Sequence, residues 1–176
     1  MQINEIDMPE QEYSSAKSSI KQLPAGFKII DKHFGWQPFT NNLDIGGGKY
    51  DIFSQKLIEK NVTNLVFDPY NRSEEHNRDV LMTCKDVIVD TVTIFNVLNV
   101  IKEREIQLNV LKMAYEALKP NGYVFVRSTY MNPAKVSGVT KSGTFQHYFK
   151  QNDYLKIVKE VFPNARLKYG LIYANK

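Results

Sequence analysis

The chain has 176 residues, of which 43% are apolar, so it is long enough to close one hydrophobic core without disulfides or structural metals. Its single cysteine, Cys84, excludes an internal disulfide, and His33, His76 and His147 are too scattered for a zinc-binding cluster; a reducing, cytoplasmic setting is expected. Twenty-three Lys and Arg against nineteen Asp and Glu give a formal charge of +4, with the lysines spread along the chain, which allows a nucleic-acid partner without requiring one.

The first ten residues are acidic and polar, and no apolar run approaches the roughly 20 residues that span a bilayer; no membrane partner is expected. Tyr13 to Leu23 reads as a short helix with Tyr13, Ala16, Ile20 and Leu23 on one side, ended by Pro24, Ala25 and Gly26. An aromatic segment, Phe27 to Phe39, follows. Residues 1–39 are therefore expected to form an N-terminal helical extension or lid, and residues 40–176 an α/β domain.

From Asn42 the pattern becomes regular. A strand over Asn42 to Ile45 meets a glycine turn, Gly46 to Gly48, and a helix over Asp51 to Lys60 in which Phe53 and Leu57 lie one turn apart. Asn61 closes that helix, and a second strand, Asn64 to Phe67, stops at Asp68-Pro69-Tyr70-Asn71. Two strands joined by a helix should lie parallel. Ser73-Glu74-Glu75-His76 looks like a helix start, whereas Val80 to Met82 and Val87 to Val89 each have strand character, so the stretch to Asp90 admits both readings. Thr91 to Phe95 is a β-branched strand and Glu103 to Leu118 an amphipathic helix. Lys119 to Gly122 reads as a turn and Gly122 to Arg127 as a further strand. A long loop over 131–151, a helix over Asn152 to Phe162 and a strand pair over Arg166 to Ala174 complete the chain. This alternation predicts a Rossmann-like, mostly parallel sheet with helices on both faces, whose ligand lies at the carboxyl ends of the strands.

Asp44-Ile45-Gly46-Gly47-Gly48 stands at such a strand end, and Asp68 closes the next strand. Glycines let the backbone approach a ligand and take positive φ, while a carboxylate at the second strand end can accept hydrogen bonds from ribose hydroxyls. The pair describes a nucleoside cradle; a bare strand-to-helix turn is the plainer reading of the glycines alone.

These segments resemble the class I S-adenosylmethionine-dependent methyltransferases. The matching pieces are Leu43 to Gly48, Val66-Phe67-Asp68, Thr93-Ile94-Phe95-Asn96-Val97-Leu98-Asn99-Val100-Ile101, and Ala117-Leu118-Lys119-Pro120-Asn121-Gly122 continuing to Val126. They occur in the family's order between Asn42 and Arg127. The resemblance implies S-adenosylmethionine as cofactor, with Asp44 near its amino end, Gly46, Gly47 and Gly48 lining its path, Asp68 on the ribose, and Tyr70 and Asn71 flanking the adenine. The family's turn spaces three glycines alternately, and Tyr50 takes the third position here. Tyr50 is either tolerated, because that glycine mainly eases helix packing, or it narrows the pocket. Segments Ser14 to Ile20 and Ser142 to Gln146 also resemble small methyltransferase-like proteins of phages or DNA-modification systems.

Asn96 and Asn99 follow the strand whose end faces the transferring methyl in related enzymes, which makes both candidate catalytic residues and Asn96 an expected cofactor contact as well. An amide orients a substrate but is no strong base, and Asn99 has a second reading as the cap of the next helix. The loop with Tyr130, Asn132, Lys135, Gln146 and His147 is rich in polar and aromatic groups, and His147 is its candidate general base, a surface histidine being the alternative. The expected function is methyl transfer to an acceptor that is a small molecule, a nucleotide or a nucleic acid. A non-catalytic protein that keeps the fold to bind a partner, and an enzyme that cleaves the cofactor, are the alternatives. Asp68→Ala is expected to weaken cofactor binding by about 1.5–3 kcal/mol without unfolding the domain.

Overall fold

Strand and helix alternate through the middle of the chain as the periodicity predicts. The computed structural model describes residues 10–128 and 135–176; Tyr130 and Asn132 lie outside the described residues. Helix α1 (Ala25–His33) leads to β1 (Thr40–Ile45), α2 (Ile52–Ile58), β2 (Val62–Phe67), α3 (Glu74–Asp86), β3 (Val89–Phe95), α4 (Arg104–Ala117) and β4 (Leu118–Arg127). A small hairpin, β5 (Gly138–Val139) and β6 (Phe145–Gln146), precedes α5 (Gln151–Lys159), β7 (Arg166–Lys168) and β8 (Leu171–Asn175).

The main sheet runs β2-β1-β3-β4-β8-β7, its first four strands parallel and the last two antiparallel. The chain steps outward from β1 to β2, then returns to place β3 on the other side of β1. Strand order therefore reverses at β1, and the crevice this opens lies at the carboxyl ends of β1 and β3.

Each central strand presents alternate residues to two covered faces. Phe95 and Phe125 meet Phe27 and Ile30 of α1 and Phe53 and Leu57 of α2. Val92, Ile94, Val124 and Val126 meet Val80 of α3, Val110 and Leu111 of α4, and Tyr154 of α5. Burial of each such side chain contributes roughly 1.5–3 kcal/mol. At the outer edge, His76 on α3 donates its Nε2 proton to the Val66 carbonyl of β2 at 2.8 Å. No described helix is long and apolar enough to cross a membrane.

The expected helix over Tyr13 to Leu23 does not form; turns and bends occupy it, and the helix begins at Ala25. Serine hydroxyls compete for the backbone there: Ser18 Oγ donates to the Ser15 carbonyl at 2.6 Å, and the Ala16 N–H donates to Ser14 Oγ. Pro24 lacks an N–H and disfavours helical backbone at Leu23, so it starts a helix rather than ending one. Val80 to Met82 is likewise not a strand but the middle of α3, where Asn77, Val80 and Cys84 share the buried face and Ser73 Oγ caps the His76 N–H. Of the Val87 to Val89 segment, only Val89 is strand, opening β3. Lys119 to Gly122 is not a free turn: β4 continues through it as a bulge, with Leu118 opposite Val89, Tyr123 opposite Thr91, and Asn121 at φ 64°.

Candidate active site

β1 delivers Asp44 and Ile45 to the carboxyl edge of the sheet, where the chain turns through Gly46 at φ 74° and Gly48 at φ 73°. Both sit in the left-handed region that favours glycine. A Cβ on Gly46 would collide with Val97, and one on Gly47 with the Asp44 carboxylate and Val66. The turn thus leaves no room for side chains between β1 and whatever lies above it.

β2 delivers Asp68, which is almost fully buried at 4% exposure. Its Oδ2 accepts the Gly48 N–H at 2.8 Å, and its Oδ1 accepts the N–H groups of Tyr70 and Asn71, each at 3.0 Å. The Asn71 amide also reaches both oxygens at 3.2 Å. Asn77 on α3 clamps the Asp68 backbone from both sides, accepting its N–H at 2.9 Å and donating to its carbonyl at 3.0 Å. Arg72 fastens the glycine turn from below, with Nε on the Gly48 carbonyl at 2.8 Å and the guanidinium on Asp51 at 2.6 Å.

Asp44 is buried at 3% exposure beside Asp68. Loss of solvent pushes its carboxyl up to about 7; the Asp68 charge adds to that, while a hydrogen bond from Thr93 and the Arg72 charge oppose it. Asp44, the three glycines, Asp68, Tyr70, Asn71 and Asn96 all line one cavity of about 430 Å³. Tyr50 is not among its walls; its ring lies under the Lys49 ammonium, 5.2 Å away.

The roof comes from the irregular segment before α1. Ser15, Ser18, Ser19, Ile20, Gln22 and Leu23 line the cavity from that side. The strap is fastened by the Gln11 N–H to the Tyr70 hydroxyl at 3.0 Å, by the Lys49 N–H to Ser19 Oγ at 3.2 Å, by the Glu12–Lys102 ion pair and by Tyr13 against Phe145. Toward Phe95 and Val97 the walls are apolar, apart from Asn96 and Lys28. Asn96 takes φ 58° directly after β3, with its N–H on the Arg127 carbonyl at 2.8 Å.

Asn99 and His147 do not join this group. The Asn99 side-chain amide donates to Gln146 at 3.2 Å, and the Asn99 backbone carbonyl accepts the His147 N–H at 2.6 Å, so the pair pins the β5–β6 hairpin to the sheet. The His147 ring is held between Phe145 and Phe149, and burial depresses its pKa while the carbonyls of Lys102 and Ile101 push the other way. Asn99 is not a helix cap: Glu103 precedes α4, and Gln107 Nε2 closes the turn by donating to the Leu98 and Ile101 carbonyls. Arg72, Asn77 and Thr93 escaped the sequence reading, as did the irregular form of the N-terminal segment, expected there as a helical extension or lid. The one available signal was the period-2 spacing of polar residues in two strands, Asn42 and Asp44 in β1 and Thr91 and Thr93 in β3.

A family model described as a methyltransferase domain matches residues 19–164. No curated protein matches the chain by sequence. Among solved structures, it is similar to the Burkholderia thailandensis 1,6-didemethyltoxoflavin-N1-methyltransferase, solved with 1,6-didemethyltoxoflavin and S-adenosylhomocysteine. That match has a TM-score of 0.60 at 11% identity and covers 94% of this chain and 79% of the other. A SAM-dependent methyltransferase of Methanosarcina mazei gives 0.61 at 14% identity, over 84% and 96% of the two chains. Streptomyces venezuelae DesVI gives 0.54 at 13%, over 85% and 89%. At these identities the likeness is one of fold.

Proposed function

Because the chain belongs to the class I, S-adenosylmethionine-dependent methyltransferases, we propose that it methylates a small-molecule acceptor seated over Asn96, with the cofactor laid along the glycine turn between Asp44 and Asp68. The observation that carries this reading is a roofed cavity that gathers these residues. Carboxylates occupy one end, apolar walls the other, and glycines the floor where side chains would collide. Two acids suit a ligand that presents an ammonium, a sulfonium and a ribose diol.

Bound there, the cofactor supplies an activated methyl group on its sulfonium. Asp44 accepts the amino group of its methionine end. Asp68 would hold the ribose hydroxyls once the Asn71 amide, whose two 3.2 Å bonds are the longest at that carboxylate, gives way. The freed Asn71 and Tyr70 flank the adenine. Asn96 orients the acceptor, and the strap keeps water from the methyl path. The described cavity walls hold no histidine, and their only carboxylates are Asp44 and Asp68 at the cofactor end. The acceptor is accordingly one whose attacking atom needs no base beside it, a ring nitrogen or an ionised oxygen.

Two observations support a small acceptor over a polymer: the strap covers the cavity, and a volume of about 430 Å³ leaves little space beside a nucleoside. Calorimetric titration with S-adenosylhomocysteine tests the cofactor site. Transfer of labelled methyl groups to a panel of heteroaromatic amines and phenols, set against short nucleic acids, tests the acceptor. Failure of both S-adenosylmethionine and S-adenosylhomocysteine to bind would overturn the reading, and methylation confined to nucleic acid would overturn the small-molecule part of it.

A further inference from the structure

A continuous ladder of polar side chains crosses the buried face of the sheet and ends on Asp44. Asn64 on β2 donates to Ser54 Oγ on α2 at 2.9 Å. Asn42 on β1 donates one amide proton to Asn64 Oδ1 at 2.7 Å and the other to Thr93 Oγ1 on β3 at 3.0 Å. Thr91 donates to Asn42 Oδ1 at 2.8 Å. Thr93 in turn donates to Asp44 Oδ1 at 2.8 Å.

Asn42 and Thr93 are both 0% exposed, so these groups have no access to bulk solvent. As the two amides lie, the ladder runs one way. Both amide protons of Asn42 are committed, one to Asn64 Oδ1 and the other to Thr93 Oγ1. Thr93 Oγ1 must therefore accept from Asn42, and its one proton is left for Asp44. Buried polar groups in a two-sided sheet are costly unless fully paired, and here each donor is paired in the one sense that ends in a proton aimed at the carboxylate.

We propose that Thr93, oriented by Asn42, Asn64 and Thr91, is a positioning residue that holds Asp44 as the carboxylate which receives the cofactor's amino group. The proposal rests on the reading above that the amino end of the cofactor lies at Asp44. The charged groups acting on Asp44 are Asp68 from the end of β2, which opposes its ionisation, and Arg72 ahead of α3, which favours it. Lys28 of α1 lines the same cavity, β3 offers the uncharged Thr93, and α2 offers Ser54. Burial leaves the carboxyl titrating near neutrality, so a single hydroxyl donor decides how much of it is ionised there.

The test compares wild type with Thr93→Val, Thr93→Ser and Thr93→Cys, reading the affinity for S-adenosylhomocysteine from pH 5.5 to 9 on the order of every half unit and the carboxyl titration of Asp44 by carbon NMR without ligand. Losing one donor should move that titration up by about one pH unit, and with it weaken binding about five- to sixfold at pH ~7 and about tenfold below pH ~6, while leaving it nearly unchanged at pH ~9. Thr93→Ser should track wild type. Thr93→Cys, a weak donor of similar size, should shift in the same direction as valine and serves if the valine protein does not fold. An Asp44 titration that does not move in the valine or cysteine protein overturns the proposal. A titration that moves while the affinity does not follow leaves Thr93 acting on Asp44 and instead overturns the placement of the cofactor's amino end.

Discussion

Replacing Asp68 by alanine should damage the fold as well as the site, because this carboxylate caps two segments of backbone at once. It accepts the buried Gly48 N–H at 2.8 Å and the N–H groups of Tyr70 and Asn71 at 3.0 Å. Removing the acceptor orphans the Gly48 amide at about 1–3 kcal/mol, while the two partly exposed amides lose about 0.5–1.5 kcal/mol each. The sum is about 2–6 kcal/mol, a large share of the roughly 5–15 kcal/mol that holds a domain together. For a loss of about 3 kcal/mol the melting temperature should fall by about 6–12 °C. This revises the expectation that the alanine variant loses cofactor affinity alone. Asp68→Asn is the milder variant: its carbonyl can still receive Tyr70 and Asn71, its amide leaves the Gly48 N–H unpaired, and it cannot offer a charged acceptor to a ribose diol. Its affinity for S-adenosylhomocysteine should drop about 10- to 150-fold, from a loss of about 1.5–3 kcal/mol. Urea denaturation and calorimetry on the two variants decide the matter. An alanine variant within about 1 kcal/mol of wild type would refute the capping argument, and an asparagine variant with undiminished affinity would refute the ribose contact.

Gly46→Ala combines a positive φ with a collision against Val97, and should destabilise the chain by about 2–4 kcal/mol; adding Val97→Ala should recover only the steric part in a denaturation cycle. Asp44 holds its proton up to about pH 7 when folded but loses it near 3.8 when unfolded, so the folded state binds more protons between those values and stability falls as pH rises through that window. Asp44→Asn should therefore be more stable than wild type by about 2–4 kcal/mol at pH ~8 and nearly equal at pH ~4; a difference that does not change with pH would refute this. Asn96→Ala should lower the rate of methyl transfer about tenfold or more while leaving the calorimetric affinity for S-adenosylhomocysteine near wild type.

Much of the fold could be read because its signals are local. The run from Asn42 to Asp68 announces strand, turn, helix and strand within 27 residues, and the glycine turn and acid at its two strand ends mark the cavity without knowledge of any distant contact. Helix α1 was missed because a proline and four serines act on the backbone in ways that apolar spacing does not register. A covering N-terminal segment was expected, but its fastenings were not legible for a different reason: its partners, Tyr70, Lys102 and Phe145, are remote in sequence. The ladder under Asp44 depends on register. Asn42 meets Asn64 because β1 and β2 pair at those residues, and it meets Thr91 and Thr93 because β3 pairs at Thr91. A polar residue inside a strand reads as a solvent-facing one until both faces of that strand are known to be covered. His147 illustrates the reverse error: a histidine in a polar loop looks reactive, yet two phenylalanines and a backbone bond make it a fastener.

The imidazole of His76 also bears on how the molecule behaves in a crowded solution. β2 is one of the two edge strands of the sheet, and an outer strand with free carbonyls and amides is a template on which another chain can grow. By occupying the Val66 carbonyl, His76 ties α3 down along that margin. A strand from a neighbouring molecule would have to break that bond and lift a thirteen-residue helix before it could align. Loss of this side chain should consequently show itself as a tendency to form β-rich aggregates on heating, well away from the cavity and with no change in what the cavity binds.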